Sequence, residues 1–391
     1  MPELAEVENF RRLLLPLVST EHPLELERCS LEKSPPRKFI TDDEIADLNK
    51  RKMVVSDVVR KGKLICMILK EKKKKGKQMK YLFLHMGMTG RVSNPDCIPK
   101  LQELSDTEIY PPPYTYLRLT AGPKEACFSD PRKFGAVHLK DDMEEDFKVL
   151  APDAWKSTLS MKIKSETAAV DDPIIVEILE KLKGQSMGIK GVLLDQKRAV
   201  CGVGNWVADE VMYQSKMHPD QTYLTQDEAR VLLERMHYIL DTAVQCLYND
   251  KEFPREWLFH YRWSKRGSKN TTIKDAQGRS IVFVTSGGRT SAVVPSLQKK
   301  KSRKPGTSTT QKKEEKKKPT KSATKRKRAA VKKETELDIV PSEVLSDVSS
   351  KKAKSSKSKK AATRTSRKKK DESVGEPNGA SKRRSPRLAK S

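Results

Sequence analysis

Several things are scarce or missing in this chain of 391 residues, and each absence excludes something. Its six cysteines, Cys29, Cys66, Cys97, Cys127, Cys201 and Cys246, form no C-x-x-C pair and no clustered Cys/His spacing. That argues for a reducing compartment and against structural zinc, and no metal or cofactor is expected. No apolar run approaches the ~18 residues that a membrane helix requires, so no membrane is expected as a partner. The start is acidic, with no basic stretch ahead of an apolar one, so no signal peptide is expected. Residues 299–391 contain no Phe, Trp or Tyr and few branched apolar side chains. Such a segment cannot bury enough surface to offset its ordering entropy, and it reads as a disordered tail.

Positive charge is abundant, and unevenly placed. Residues 299–391 hold 33 Lys+Arg against 10 Asp+Glu, whereas residues 1–298 hold 47 against 42, so most of the net charge of +28 lies in the tail. Runs such as "KSATKRKRAAVKK" suit nuclear import factors or loose, non-specific contact with DNA. The expected address is the nucleus.

The first 298 residues change pattern as they proceed. "ELAEVENFRRLLLPLV" places Val7, Phe10, Leu14, Leu15 and Val18 near one face of a helix. Short β-type runs follow, among them "DVVRKGKLICMILK", "MKYLFLHMGMTG", "TYLRLTA", "EACFSD" and "GAVHLK", with "EKKKKGKQMK" as a hairpin loop. Their spacing predicts a β-sandwich or a barrel-like domain. From about Asp171 the pattern is helical: Asp172 and Pro173 open one helix. Thr225 and Glu228 stand at capping-box spacing ahead of a helix of about six turns. "SIVFVTSGGRTSAVVP" then reads as a β-hairpin. The expected organisation is α+β: helix and β-sandwich at 2–150, helical domain at 151–250, hairpin at 251–298, basic tail at 299–391.

The opening "MPELAEVE" also carries chemistry. A methionine ahead of proline is normally removed, which leaves Pro2 with a free secondary amine, a candidate nucleophile. Taken alone, Pro and Glu at this position equally well begin a helix.

"PELAEVE", "HMGMTG", "DPRKFG", "LLDQKRAVCGVGNWVADEVMY" and "GGRTSAVVP", in that order, resemble the formamidopyrimidine-DNA glycosylase family. They resemble in particular its eukaryotic, plant-like members with a zincless finger and a basic C-terminal tail. The resemblance spans residue 2 to about 297. It implies a helix and β-sandwich, a helix-two-turn-helix domain and a β-hairpin finger around damaged double-stranded DNA. It further implies a monomer that excises oxidised purines, formamidopyrimidines and 8-oxoguanine among them, and cuts the abasic strand by β,δ-elimination.

By the same resemblance Pro2 is the nucleophile, Glu3 the acid/base that opens the sugar, Glu6 an orienting carboxylate and Lys63 a lysine that reaches phosphate and assists elimination. Asn205 starts a helix whose free N–H groups would cradle phosphate, with Lys190 adding charge on that side, and Arg289 grips phosphate from the hairpin turn. Met88, Arg132 and Phe134 match a trio that fills the gap left by an extruded base. Ala5 departs from the family, where a second proline is usual. Only "NDKEFPRE" separates Tyr248 from Trp257, so a long loop closing over 8-oxoguanine is not expected, and ring-opened bases should be preferred. The alternative is a non-catalytic DNA-binding or chromatin-associated protein that keeps the glycosylase body.

Overall fold

The structure is a computed structural model and describes residues 2–29, 38–71, 79–100, 109–158, 172–183, 186–263 and 272–301. The described residues all belong to one unit, Met1–Lys312. The tail expectation and the lysine-rich link 72–78 therefore lie outside the described residues, almost entirely in the first case and wholly in the second.

Helix α1 (Leu4–Leu14) opens the body and tightens into a 3-10 turn at Leu15–Leu17, with Pro16 at its start. Val7, Phe10 and Leu14 are fully buried as expected, but Leu15 and Val18 are 37% and 39% exposed. The 3-10 turn shifts the helical phase, so Leu17 goes inward in their place.

The β domain is two four-stranded antiparallel sheets. One has the order β1 (Leu24–Arg28), β6 (Thr115–Ala121), β7 (Lys124–Ser129), β5 (Arg91–Ser93). The other has the order β2 (Met53–Lys61), β3 (Leu64–Glu71), β4 (Met79–His85), β8 (Ala136–Lys140). Both sheets and the Val7, Phe10 and Leu14 stripe of α1 close over one apolar core, the expected sandwich. Strand β1 and helix α2 (Asp42–Arg51) were not foreseen, although Thr41 and Glu44 form a complete capping box at the start of α2. A short helix, α3 (Glu144–Phe147), follows the sandwich.

A second core belongs to α4 (Pro173–Leu182), α5 (Ile189–Leu194), α6 (Asn205–Gln214) and α7 (Gln226–Tyr248). Asp172 caps α4 through the Ile174 N–H at 2.9 Å, and Thr225 and Glu228 form the capping box of α7. Leu4 and Ala5 of α1 also lie in this helical core, so one helix contributes to both halves.

Strands β9 (Val282–Ser286) and β10 (Arg289–Val293) form the expected hairpin, turning at Gly287 and Gly288 with φ of +57° and +71°, a conformation that favours glycine. Among the described residues no group of three or more His, Cys, Asp or Glu could hold a metal. What supports this region is a small apolar cluster of Tyr213, Leu258, Ile281, Ala292 and Val294. Beside it, the Asp275 carboxylate accepts from the backbone N–H groups of Gln277 and Arg279 and from Arg279 Nε.

The sandwich is tied to the segment leading into the helical domain by a buried ionic triad. The Arg60 guanidinium is inaccessible to solvent and pairs with Glu8 Oε2 at 2.9 Å and Asp153 Oδ2 at 2.6 Å. Burial alone would raise the Asp153 carboxyl, but Arg60 and the N–H groups of Lys156 and Gly62 outweigh it and hold the group below its ordinary value. Glu8 is lowered likewise, burial being outweighed by Arg11 and Arg60. This contribution to stability is present above the unfolded-state carboxylate values and is lost as pH falls through the depressed folded ones. Asp153→Asn should therefore cost about 3 kcal/mol at neutral pH by leaving a buried guanidinium under-compensated. Urea unfolding at pH 7 and near pH 3 should show that gap wide at the first and narrow at the second.

Candidate active site

The first residues of the chain are anchored inside the protein. Pro2 is buried and Glu3, the N-cap of α1, is 2% exposed. Glu3 Oε2 accepts from the backbone N–H of Gly204 at 2.8 Å and Val207 at 3.1 Å, and Oε1 from Trp206 at 2.8 Å. A carboxylate thus sits on the positive end of α6, where unpaired N–H groups and the helix dipole favour an anion. This narrows one expectation: of the N–H groups at the helix start read as a phosphate cradle, those of Gly204, Trp206 and Val207 are engaged by the chain's own Glu3. Gly204 is required for that approach, since a Cβ there would lie 2.3 Å from Glu3 Cδ and 2.6 Å from Lys63 Nζ.

Glu6, one turn along α1, folds back over the same point. Its Oε2 accepts the Glu3 backbone N–H at 3.0 Å and its Oε1 accepts the Trp206 indole N–H at 3.1 Å. Burial first, and the neighbouring Glu3 carboxylate second, push the Glu6 carboxyl up to about 7.

Lys63 arrives from the sandwich. With Gly62 it makes the two-residue turn between β2 and β3, where Gly62 takes φ +59°. The ionic triad fixes this turn directly: the Gly62 N–H donates to Asp153 at 2.7 Å and its carbonyl accepts from Arg60 at 2.7 Å. Burial and the Arg289 charge push the Lys63 ammonium below the ordinary lysine value, against the pull of Glu3 and Glu6.

Pro2, Glu3, Lys63, Met88, Asn205 and Arg289 all line one cavity of about 560 Å³, together with His85, Gln196 and Trp263. Arg289 is exposed and stands at the start of β10. Its hairpin approaches α5 where two glycines meet, a Cβ on Gly287 falling 2.9 Å from Gly191 Cα. The Asn205 amide donates to the Thr290 carbonyl at 3.1 Å, while its Oδ1 is buried without a partner.

Lys190 is a correction. Its side chain is wholly buried, with Nζ 2.5 Å from Asp209 Oδ1 and 2.6 Å from Ser291 Oγ. Asp209 also pairs with Arg262 at 2.8 Å and accepts the Ala292 N–H at 3.1 Å. Lys190 therefore holds the hairpin against α6 and does not face a phosphate, because its charge is spent on a carboxylate in the interior.

Met88, Arg132 and Phe134 lie on two loops that pack backbone to backbone. The buried Asp130 joins them, accepting from Thr89 Oγ1 at 2.6 Å and the Gly135 N–H at 2.6 Å. Met88 is half-buried on the cavity wall, and Phe134 is 55% exposed with the Arg132 guanidinium 5.1 Å from its ring centre. Phe134 is thus a projecting side chain and not part of the core.

Both halves of the chain are similar to known proteins. The formamidopyrimidine-DNA glycosylase N-terminal domain model matches residues 1–137, and the H2TH domain model of the same enzymes matches residues 166–250. Over 315 residues the chain is 30% identical to the formamidopyrimidine-DNA glycosylase of Arabidopsis thaliana, covering 76% of this chain and 71% of the other. The chain belongs to the formamidopyrimidine-DNA glycosylase family. That family works in base excision repair. The formamidopyrimidine-DNA glycosylase of Thermus thermophilus is 28% identical over 247 residues, covering 63% of this chain and 76% of the other. A crystal structure of the Lactococcus lactis formamidopyrimidine-DNA glycosylase, bound non-covalently to DNA containing an AP site, shares the fold. Its TM-score is 0.52 at 21% identity, covering 76% of this chain and all of that one.

As a member of the formamidopyrimidine-DNA glycosylase family, the chain has three further residues here that the sequence did not single out: His85, Trp206 and Trp263. His85 and Trp206 left a trace, inside the "HMGMTG" and "GVGNWVADE" motifs, and Trp263 left none. The raised Glu6 carboxyl has a measurable consequence. Folding retains a proton there that the unfolded chain releases, so this contribution is fully present below about pH 4.5 and lost as pH rises through about 7. Glu6→Gln, which cannot ionise but forfeits one acceptor, should be less stable than the parent at pH 5, and thermal melts should show the gap closing towards pH 8.

Proposed function

We propose that this protein is a bifunctional DNA glycosylase and AP lyase that removes oxidised, ring-opened purines from duplex DNA through a Schiff base on Pro2. The observation that carries this reading is the convergence of Pro2, Glu3 and Lys63, from the chain start and a sandwich turn, on one cavity that Asn205 and Arg289 also line. The chemistry follows from the groups. Once Met1 is removed, Pro2 bears an α-amine, and a reference α-amine near pKa 8 is roughly a tenth neutral at pH 7, against well under ~0.1% of a reference lysine. The neutral nitrogen forms a bond to C1′ as the glycosidic bond breaks, and the base leaves with the bonding electron pair and takes up a proton. Sugar ring opening converts the adduct to a cationic imine, and Glu3 Oε1, which has a single N–H partner, retains a lone pair for the proton exchange this needs.

The imine is an electron sink. Loss of the C2′ proton breaks the C3′–O bond, a second elimination breaks the C5′–O bond, and water returns Pro2 to its amine. Lys63, its ammonium depressed and beside Glu3, is placed to shuttle protons in these steps. Arg289 and the Asn205 side chain supply positive and polar contacts for the flanking phosphates. Met88 and Phe134 refill the stack and Arg132 pairs with the orphaned base. The short connection from Tyr248 to Trp257 supports a preference for ring-opened bases over 8-oxoguanine. The acting species is a monomer, and the basic tail serves as the nuclear address and as a non-specific DNA contact.

Borohydride added to the protein on a formamidopyrimidine-containing duplex should trap a covalent adduct that maps to the peptide beginning at Pro2, and Pro2→Gly or an uncleaved N-terminal extension should reduce trapping at least tenfold. Tight binding of the duplex with no adduct and no base release would instead establish the non-catalytic DNA-binding alternative. Lys301 pairs with Glu228 on the body, so the tail is best removed from residue 302 onward. That truncation should leave single-turnover base release unchanged and flatten the slope of log affinity against log salt. An unaltered slope would refute the tail's part in binding.

A further inference from the structure

Beside the cavity just described lies a second one of about 460 Å³, within the usual range for a small-molecule pocket. The two share three residues, Pro2, Met88 and Trp263. The first adds Lys63, Asn205 and Arg289, the groups suited to phosphate; the second adds Glu6, two lysines balanced by two further carboxylates (Lys100, Lys251, Asp250, Glu252), and a wall of rings from Trp206, Phe253 and Phe259. Those rings form one cluster: Phe253 and Phe259 are 4.8 Å apart between centres, Trp206 and Phe259 5.1 Å, Trp206 and Phe253 5.4 Å.

Trp263 continues this wall to the surface. It stands edge-on to Phe259 at 5.9 Å and 82°, yet it is 39% exposed, whereas Trp206 and Phe259 are 2% and 6% exposed. Its orientation is held. The Arg262 guanidinium lies 4.3 Å from its ring centre, and Arg262 is itself fixed by Asp209. Core packing does not require a large aromatic side chain at this position with more than a third of its surface in solvent.

We propose, resting on the glycosylase reading above, that the damaged base enters the aromatic cavity and stacks on Trp263. The geometry divides the nucleotide between the two spaces. Phosphate and sugar belong with the cationic residues, and the base, having lost its stacking neighbours in the duplex, belongs with the rings. C1′ joins sugar to base, and the proposed nucleophile, Pro2, is one of the three residues that border both spaces. Trp263 borders both as well, so it meets the base at the point of entry. Stacking of this kind tolerates any base with a flat face, and a ring-opened purine keeps its flat pyrimidine ring. The ligand class is accordingly a planar nucleobase or ring-opened nucleobase, held by its face more than by its edges.

The test separates a substrate that has a base from one that has none. The full chain, Trp263→Ala and Trp263→Phe are each assayed for single-turnover release of a formamidopyrimidine from a duplex and for strand cleavage at a preformed abasic site in the same sequence. Trp263→Ala should slow base release about tenfold, the order expected for one lost base–aromatic stack, and leave abasic cleavage within about twofold. Trp263→Phe, which keeps a ring, should recover most of the loss. Equal losses on both substrates would mark Trp263 as structural and overturn the proposal. Unimpaired base release by Trp263→Ala, with the parent active on both substrates, would overturn it alone. A parent chain inert on both substrates would overturn the glycosylase reading and this proposal with it.

Discussion

The grip of the Glu3 carboxylate on the first N–H groups of α6 is the interaction from which the rest of the site follows. Three charge-assisted hydrogen bonds join residue 3 to residues more than 200 positions away, in the other half of the body. They place the neighbouring Pro2 in the cavity wall at a fixed height and satisfy donors that would otherwise be unpaired. Glu6 and Trp206 bolt the same joint from the side. The Asp153 carboxylate plays a matching part for Lys63, holding the backbone of its turn instead of its side chain. Both Pro2 and Lys63 are thus held in place by buried carboxylates that bind peptide N–H groups.

The electrostatics of the cavity run in opposite directions for its acid and its base. Burial makes ionisation unfavourable for both, so Glu6 is raised and Lys63 lowered, and each approaches neutrality from its own side. The Glu6 carboxyl, pushed up to about 7, stands next to the chain start, where the proposed chemistry needs proton transfers. Other basic side chains are kept for different work. Arg60, Lys190 and Arg262 lie in the interior and fix turns, hairpin and helix to one another through Asp153 and Asp209.

What could be read from the amino-acid sequence was what depends on short spacing. The capping residues of α4 and α7, the short β-type runs and the Gly-Gly hairpin turn are local, and the structure has all of them where expected. Thr41 and Glu44 carry the same kind of signal for α2. Long-range electrostatics were not legible. A lysine in "GIKGVLLD" reads as surface charge unless one knows that Asp209 and Ser291 converge on it. A glycine-flanked helix start reads as an anion site, which it is, but the anion turned out to be Glu3. Trp263 was invisible for a related reason: only the contacts reveal that its ring is held in place and yet left uncovered.

Helix α1 gives Leu4 and Ala5 to one apolar core and Val7, Phe10 and Leu14 to the other. The apparent boundary near residue 151 is therefore a seam in the chain and not in the packing. Neither half is a portable module. A fragment ending at that seam would leave Leu4 and Ala5 with nothing to cover them, and one beginning there would lack both side chains from its interior. Any ancestral shuffling of such halves would have had to carry this single helix across intact.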